Sequence, residues 1–217
     1  MNEITVKNIE KHFGRNGLSN TSFGLKQGDY LCITGGSGCG KTTLLNIISG
    51  MLKADKGEVI LNGKDIYSSM DERSRTKLRN KKIGYMMQGN TLIPELDIIS
   101  NIRCPLELNG IKVKKERILE IAEKLKITNV LRSYPSEISG GEYRRVLLAR
   151  TLIMEPEILI ADEPTSNLDE KSAETVREIF DEYISDKEHI LIISTHDRAF
   201  LNKCSHILEL TQMEISA

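Results

Sequence analysis

The fold is decided by residues 35–42, which read GGSGCGKT and match the pattern G-x-x-x-x-G-K-[ST] in every position. The short apolar run Tyr30–Thr34 directly before them predicts a buried strand, and the apolar spacing in Lys41–Ser49 predicts a helix directly after. Strand, glycine-rich loop and helix in this order are typical of a loop that binds the phosphates of a nucleoside triphosphate. An ordinary glycine-rich turn is the alternative, and the flanking strand and helix count against it.

Each residue type in this loop has a physical part in phosphate binding. Glycines allow successive backbone N–H groups to point at phosphate oxygens, and the start of the helix adds its positive dipole end. Lys41 supplies a charge toward the β- and γ-phosphates, and the Thr42 hydroxyl can ligate Mg²⁺. The Cys39 thiol is interpreted as a small packing residue, with redox regulation as the alternative. The predicted phosphate-binding residues are Gly35, Gly36, Ser37, Gly38, Cys39, Gly40, Lys41, Thr42 and Thr43.

The composition indicates a globular protein that does not bind nucleic acid through its general charge. The 217 residues are 39% hydrophobic and 28% charged, with 30 Lys and Arg against 31 Asp and Glu. This balance argues against a nucleic-acid partner. The four cysteines form no CxxC pair, which favours a reducing cytosol over a secreted disulfide framework. The N-terminus has no signal-peptide pattern, and no apolar run approaches the roughly 20 residues needed to cross a bilayer. We therefore expect any work at a membrane to proceed through docking on a partner.

Two carboxylates end a second apolar run. Ile158–Ala161 precedes Asp162 and Glu163, and a buried parallel strand delivers such residues to the sheet edge where ligands bind. Asp162 is predicted to hold Mg²⁺ opposite Thr42, and Glu163 to polarise the attacking water as a general base. Two acids at a strand end can instead cap the next helix, but the phosphate loop favours the catalytic interpretation.

Two further strand ends carry polar residues. His196 follows the aliphatic run Ile190–Ile193, and its imidazole N–H can reach a γ-phosphate at the same edge. Gln88 follows the strand candidate Ile83–Met87, where its amide can bond a metal-bound or attacking water. A lone His is more often structural, and neither residue is decisive alone.

Residues 139–142 start a predicted helix. Ser139 and Glu142 have the spacing of a capping box, so an ordinary helix start is one interpretation. A helix cap does not require two adjacent glycines. Gly140 and Gly141, together with Ser139, therefore favour a second anion-binding site. One chain cannot easily fold both phosphate sites onto one nucleotide, so a second copy would have to supply this one.

The remaining patterns give the organisation of the chain. The continuous aliphatic runs predict a mostly parallel sheet, the alternation in Ile4–Ile9 predicts a half-buried strand, and Asn62-Gly63 predicts a type I′ hairpin turn. A mostly helical insert is predicted from about residue 89 to residue 155. The basic segment Arg73–Lys82 is interpreted as a solvated helical face, with contact to lipid headgroups or an acidic partner as the alternative.

In order and identity, these motifs resemble the ATP-binding cassette (ABC) ATPase family over nearly the whole chain. The resemblance implies an α/β fold in a single domain over 1–217. Residues 1–88 and 156–217 would form a P-loop NTPase core with an N-terminal antiparallel β subdomain, and about 89–155 a helical subdomain. It also implies a head-to-tail dimer that hydrolyses two ATP, with Mg²⁺. Each ATP would lie between one subunit's phosphate loop and the other's signature. The signature residues are Ser139, Gly140, Gly141 and Glu142.

Further site residues follow from the resemblance. Asp169 belongs to the D-loop segment Ser166–Asp169, and Phe13 falls where the family places an aromatic residue that stacks on adenine; a core Phe is the alternative. The catalytic residues would be Glu163, His196, Gln88 and Lys41, and the metal ligands Thr42, Gln88 and Asp162. The signature departs from the usual Leu-Ser-Gly-Gly-Gln, because Ile138 comes first and Glu142 last.

Within the family, the run Leu92–Leu96 and the segment Tyr134–Glu137 most resemble the lipoprotein-releasing, macrolide and antimicrobial-peptide export and cell-division ATPases. This implies a cytoplasmic subunit, peripheral on the cytoplasmic face of the cell membrane, which drives membrane-spanning permease subunits of an exporter or mechanotransmission-type system. The dimer would be of identical chains or of paired ATPase subunits, and Thr91–Leu96 would help to dock the permease. A switch on a membrane-anchored partner, as in cell division, is the alternative. A DNA-repair or translation cassette is a more distant one.

Overall fold

Two β-sheets organise the part of the chain that the computed structural model describes, namely residues 2–14, 16–89, 91–112 and 114–211. The strands are β1 (Glu3–Phe13), β2 (Asn16–Lys26), β3 (Tyr30–Thr34), β4 (Lys56–Leu61), β5 (Lys64–Asp65), β6 (Ile83–Met86), β7 (Ile158–Asp162), β8 (Ile190–Ser194) and β9 (His206–Glu209). The helices are α1 (Lys41–Ile48), α2 (Glu72–Lys82), α3 (Ile98–Leu108), α4 (Lys115–Lys124), α5 (Gly140–Leu152), α6 (Glu170–Ser185) and α7 (Arg198–Leu201). Short 3₁₀ turns occupy Thr128–Val130 and Pro135–Glu137.

The larger sheet is parallel, with strand order β6-β7-β8-β3-β9. Every residue of β7 and β8 is buried. Helices α3, α5 and α6 cover one face of this sheet, and helix α1 together with the smaller sheet covers the other. Side chains alternate between the two hydrophobic clusters: Leu159 and Ala161 join one, and Ile158 and Ile160 join the other. Such double-sided burial requires the continuous aliphatic runs seen in the sequence, and it confirms the predicted α/β class.

The smaller sheet is antiparallel, with order β2-β1-β4-β5. Ile4 and Val6 of β1 are buried, as their alternation predicts, and Ile9 is buried with them because a bulge at Asn8, with φ 48°, shifts the register. The β4–β5 connection places Asn62 at φ 51° and Gly63 at φ 76°, the two positive angles of a type I′ turn. The predicted hairpin is therefore confirmed.

Three helices, α3, α4 and α5, lie in the chain between β6 and β7 and pack on the parallel sheet from one side. Val146 and Ala149 of α5 and Ile102 of α3 are fully buried in the cluster that also contains Leu159. These helices agree with the expected helical insert, and the division of the chain into a core and a helical subdomain stays a prediction. The strand before them ends at Met86, one residue earlier than expected.

The basic segment forms helix α2, in which no residue is buried. Glu72 forms ion pairs with Arg75 and Arg79, and the Lys82 amine lies 2.7 Å from a carboxylate oxygen of Glu157. These contacts agree with a solvated helical face. Across the residues described, no helix is both long enough and apolar enough to span a bilayer.

Candidate active site

The phosphate loop and the carboxyl ends of the parallel strands bring all four predicted catalytic residues to one cleft of about 340 Å³. Parts of the phosphate loop, the ends of β6, β7 and β8 and one residue of the D-loop segment form its walls. The lining residues are Ser37, Gly38, Gly40, Lys41, Thr42, Thr43, Gln88, Asp162, Glu163, Ser166 and His196.

The phosphate loop curls around the amine of Lys41. The Nζ atom donates to the carbonyl oxygens of Gly35 at 2.7 Å and Gly36 at 3.3 Å. Gly40, whose φ is 102°, is the N-cap residue of helix α1, and no side chain caps the helix. The first N–H groups of a helix without a capping side chain are ready donors for an anion, and the helix dipole favours negative charge there.

Cys39 is buried in the hydrophobic cluster under the loop, with 1% of its surface exposed. A Cβ atom added to Gly35 would lie 2.7 Å from the Cys39 sulfur and 2.3 Å from the carbonyl oxygen of Leu210. The thiol therefore fills the space beside a glycine that has no room for a side chain. This packing favours the structural interpretation of Cys39 over redox regulation.

Asp162 lies at the end of β7, 1% exposed, with both carboxylate oxygens hydrogen-bonded. Its Oδ2 accepts from the Thr42 hydroxyl at 2.6 Å, and its Oδ1 accepts from the Ser194 hydroxyl. Oxygen donors of this kind fit Mg²⁺, which binds one or two protein ligands and completes its shell with waters and substrate phosphates. Among the described residues, no group of three or more His, Cys, Asp or Glu could hold a metal by itself.

Glu163 is held by its backbone in a conformation that non-glycine residues rarely adopt, with φ 50°. Its N–H donates to the carbonyl and hydroxyl oxygens of Ser194 at 3.0 and 3.1 Å, and its carbonyl accepts from the Ser166 hydroxyl at 2.9 Å. The carboxylate Oε1 lies 3.5 Å from His196 Nε2. Burial raises the pKa of Glu163, and the neighbouring His196 and Lys41 only partly oppose this.

His196 and Gln88 are both exposed at the cleft. The His196 Nε2 lies 3.2 Å from Lys41 Nζ, so the imidazole, the lysine and Glu163 form one group. Sequence reasoning missed Ser194 and Ser166, which fix Glu163. Their only signal was a hydroxyl residue at the end of β8 and another three positions after Glu163.

The predicted signature lies outside the cleft and forms the capping box of α5. Glu142 Oε2 accepts from the Ser139 hydroxyl at 2.7 Å and from the Ser139 N–H at 2.9 Å, and these bonds lower the pKa of Glu142. A Cβ on Gly141 would meet the Ser172 hydroxyl at 2.5 Å, whereas Gly140 faces open space.

Asp169 and Phe13 likewise do not line the cleft. Asp169 caps α6 by accepting from the N–H of Ser172 at 3.0 Å. Phe13, at the end of β1, is 51% exposed, with the Lys11 amine 5.7 Å from its ring centroid. The exposure excludes the core-residue interpretation and leaves the ring free to stack.

A phosphate loop between β3 and α1, facing a buried aspartate and an adjacent glutamate at the sheet edge, defines a P-loop nucleoside triphosphatase. The model of the ABC transporter family matches residues 18–166, and the chain belongs to this family. It is an ATP-binding ATPase. This confirms the predicted family, fold and activity.

Two relatives and two solved structures illustrate the similarity. The lipoprotein-releasing system ATP-binding protein LolD 1 of Chlorobium chlorochromatii is 34% identical over 202 residues, which cover 92% of this chain and 82% of that protein. The ABC transporter ATP-binding protein YtrE of Bacillus subtilis is 35% identical over 205 residues, covering 89% and 88%. The dimeric structure of the bacterial ABC transporter cassette MJ0796 has a TM-score of 0.88 at 28% identity, with 99% of both chains covered. Its dimeric post-hydrolysis state bound to ADP and Pi has a TM-score of 0.87, with the same identity and coverage.

Proposed function

We propose that the chain is the ATP-hydrolysing subunit of a membrane ABC transporter, of exporter or mechanotransmission type. It works from the cytoplasmic face as a head-to-tail dimer on membrane-spanning permease subunits. The observation that carries the proposal is the hydrogen bond from Thr42 to Asp162, because it joins the phosphate loop to the carboxylate edge beside Glu163. The relative named for a lipoprotein-releasing system supports the exporter or mechanotransmission type.

The residues of one chain divide the work of hydrolysis. The loop N–H groups and Lys41 bind the β- and γ-phosphates, and His196 donates a hydrogen bond to the γ-phosphate. Thr42 and Asp162, with Gln88 nearby, would hold Mg²⁺, which neutralises phosphate charge when bound. Glu163 accepts a proton from the attacking water. Because this reaction needs little covalent help, positioning and charge compensation supply most of the rate.

A second copy completes each nucleotide site. Ser139, Gly140 and Gly141 lie outside the cleft of their own chain and are proposed to face the γ-phosphate held by the partner chain, with Glu142 and Asp169 beside the bound nucleotide. Phe13 stacks on the adenine of the nucleotide in its own chain. The dimeric form of the similar cassette MJ0796 supports this arrangement.

The pH dependence of kcat/KM tests the role of Glu163, because this ratio reports ionisations of the nucleotide-free chain. Only the ionised carboxylate can accept a proton, and burial raises its pKa. We therefore expect kcat/KM to fall on acidification at a higher pH than an ordinary glutamate would give. The acid limb should be absent from the residual activity of Glu163→Gln. A limb at the pH of an ordinary glutamate would contradict the assignment.

Two experiments test the proposed function as a whole. Affinity purification of the tagged chain from detergent-solubilised membranes should recover a multi-span membrane protein that stimulates its ATPase. Recovery of a partner that controls cell-wall enzymes would support the cell-division alternative instead.

A structure of ATP-bound Glu163→Gln should place two nucleotides between facing subunits. The proposed dimer is wrong if Gly140 and Gly141 lie far from every γ-phosphate.

A further inference from the structure

The residue after His196 is tied to helix α6 by an ion pair that the proposed chemistry does not use. Arg177 places one guanidinium nitrogen 2.8 Å from Oδ2 of Asp197 and the other against the carboxylate of Glu170. The Arg177 side chain is only 11% exposed, whereas that of Glu170 is 85% exposed. A guanidinium group is rarely buried to this extent without fixed hydrogen-bond partners, so the ion pair with Asp197 is an ordered part of the fold.

Asp197 is held from several sides at once. Its Oδ2 also accepts from the hydroxyl of Thr165 at 3.2 Å, two residues beyond Glu163. Its Oδ1 accepts from the N–H of Ala199 at 2.9 Å, where it caps α7. Asp197 therefore joins the segment after β7, helix α6 and the turn that carries His196.

The turn has backbone supports, such as the bond from the Asp197 N–H to the Thr195 hydroxyl at 3.0 Å, but the side that Arg177 contacts faces a cavity. A cavity of about 360 Å³ lies beside the active site, and its wall includes Glu163, His196 and Arg177. His196 is exposed, and Arg177 and Asp197 both line this cavity, where they contact each other. Removal of the guanidinium would leave the Asp197 carboxylate with the weaker, uncharged donors Thr165 and Ala199.

We propose that Arg177 is a positioning residue for ATP hydrolysis, which acts by holding Asp197 and thereby the imidazole of His196 at the cleft. The inference rests on the proposed role of His196 at the γ-phosphate. The His196 Nε2 lies 3.2 Å from Lys41 Nζ and 3.5 Å from Glu163 Oε1, so a small displacement of the turn changes both contacts. Displacements of about 1 Å at a reacting centre can cost up to about 100-fold in rate.

The substitution Arg177→Met tests this, because Met keeps much of the side-chain volume and removes the charge. We expect kcat to fall about tenfold, with the Kd for ATP unchanged within about twofold, since the phosphate loop is untouched. Arg177→Lys, which keeps a charge that can reach Asp197, should recover part of the lost kcat. Lys171→Met is the matched control, because Lys171 is an exposed cation on the same helix. Its kcat should equal that of the parent protein.

His196→Ala, measured in parallel, separates this inference from the proposed function. If Arg177 acts through His196, adding Arg177→Met to His196→Ala should cause no further loss of kcat. A full additional loss in the double variant would overturn the inference, and so would an unchanged kcat in Arg177→Met. A joint fall of kcat, ATP affinity and thermal midpoint without recovery by Lys would show a merely structural role. Normal kcat in His196→Ala would instead remove the proposed role of His196 itself.

Discussion

Replacing Glu163 with Gln is expected to lower kcat by at least about 100-fold while ATP binding is retained. The amide keeps the size and the backbone contacts to Ser194 and Ser166 that fix this residue, so the cleft should keep its shape. It cannot accept a proton from the attacking water at its oxygen as a carboxylate does. Steady-state ATPase assays and equilibrium ATP binding give the two quantities, and size-exclusion chromatography with ATP should show a dimer that persists.

The control for this substitution is Glu174→Gln, which makes the same chemical change at an exposed position of α6. Its kcat should match that of the parent protein. Near-normal turnover in Glu163→Gln would show that another group activates the water, and the general-base assignment would then be withdrawn. Loss of ATP binding would show that Glu163 serves the structure of the cleft.

Gly35→Ala is expected to have the largest effect on stability of any glycine-to-alanine substitution in the phosphate loop. The new Cβ would meet the carbonyl oxygen of Leu210 at 2.3 Å and the buried sulfur of Cys39 at 2.7 Å, and Gly35 has φ 139°. Backbone strain and overpacking each cost about 1–3 kcal/mol, so we expect a loss of roughly 2–5 kcal/mol. Denaturant unfolding measures this loss, and ATP affinity should fall as the loop shifts.

Gly36→Ala is the matched control for stability, because a Cβ at the neighbouring glycine has nothing within 4 Å. Its free energy of unfolding should stay within about 1 kcal/mol of the parent value. Equal destabilisation by both substitutions would contradict the close packing of Gly35 on Cys39 and Leu210. A stable Gly35→Ala protein would do the same.

The parts of the fold that the sequence predicted are those whose physics is local. The strands β7 and β8 are buried on both faces, so their aliphatic runs are continuous and easy to recognise. The phosphate loop is recognisable because closely spaced glycines, a lysine and a threonine must follow one another along the chain to surround a phosphate group.

The parts that sequence reasoning missed depend on contacts between distant residues. Ser194 reaches Asp162 across 32 positions, and Arg177 reaches Asp197 across 20. A serine at a strand end or an arginine on a helix is common, and nothing in its neighbours along the chain indicates its partner. Such residues become recognisable only when the strand order and the packing of α6 are known.

The capping box of α5 gives Glu142 a consequence for the working cycle. In the single chain its carboxylate already accepts the hydroxyl hydrogen of Ser139. In the proposed dimer, a partner's terminal phosphate would therefore have to displace this carboxylate to bind the serine. After that phosphate leaves, the carboxylate would bind the serine again, and this competition would help the two subunits to separate.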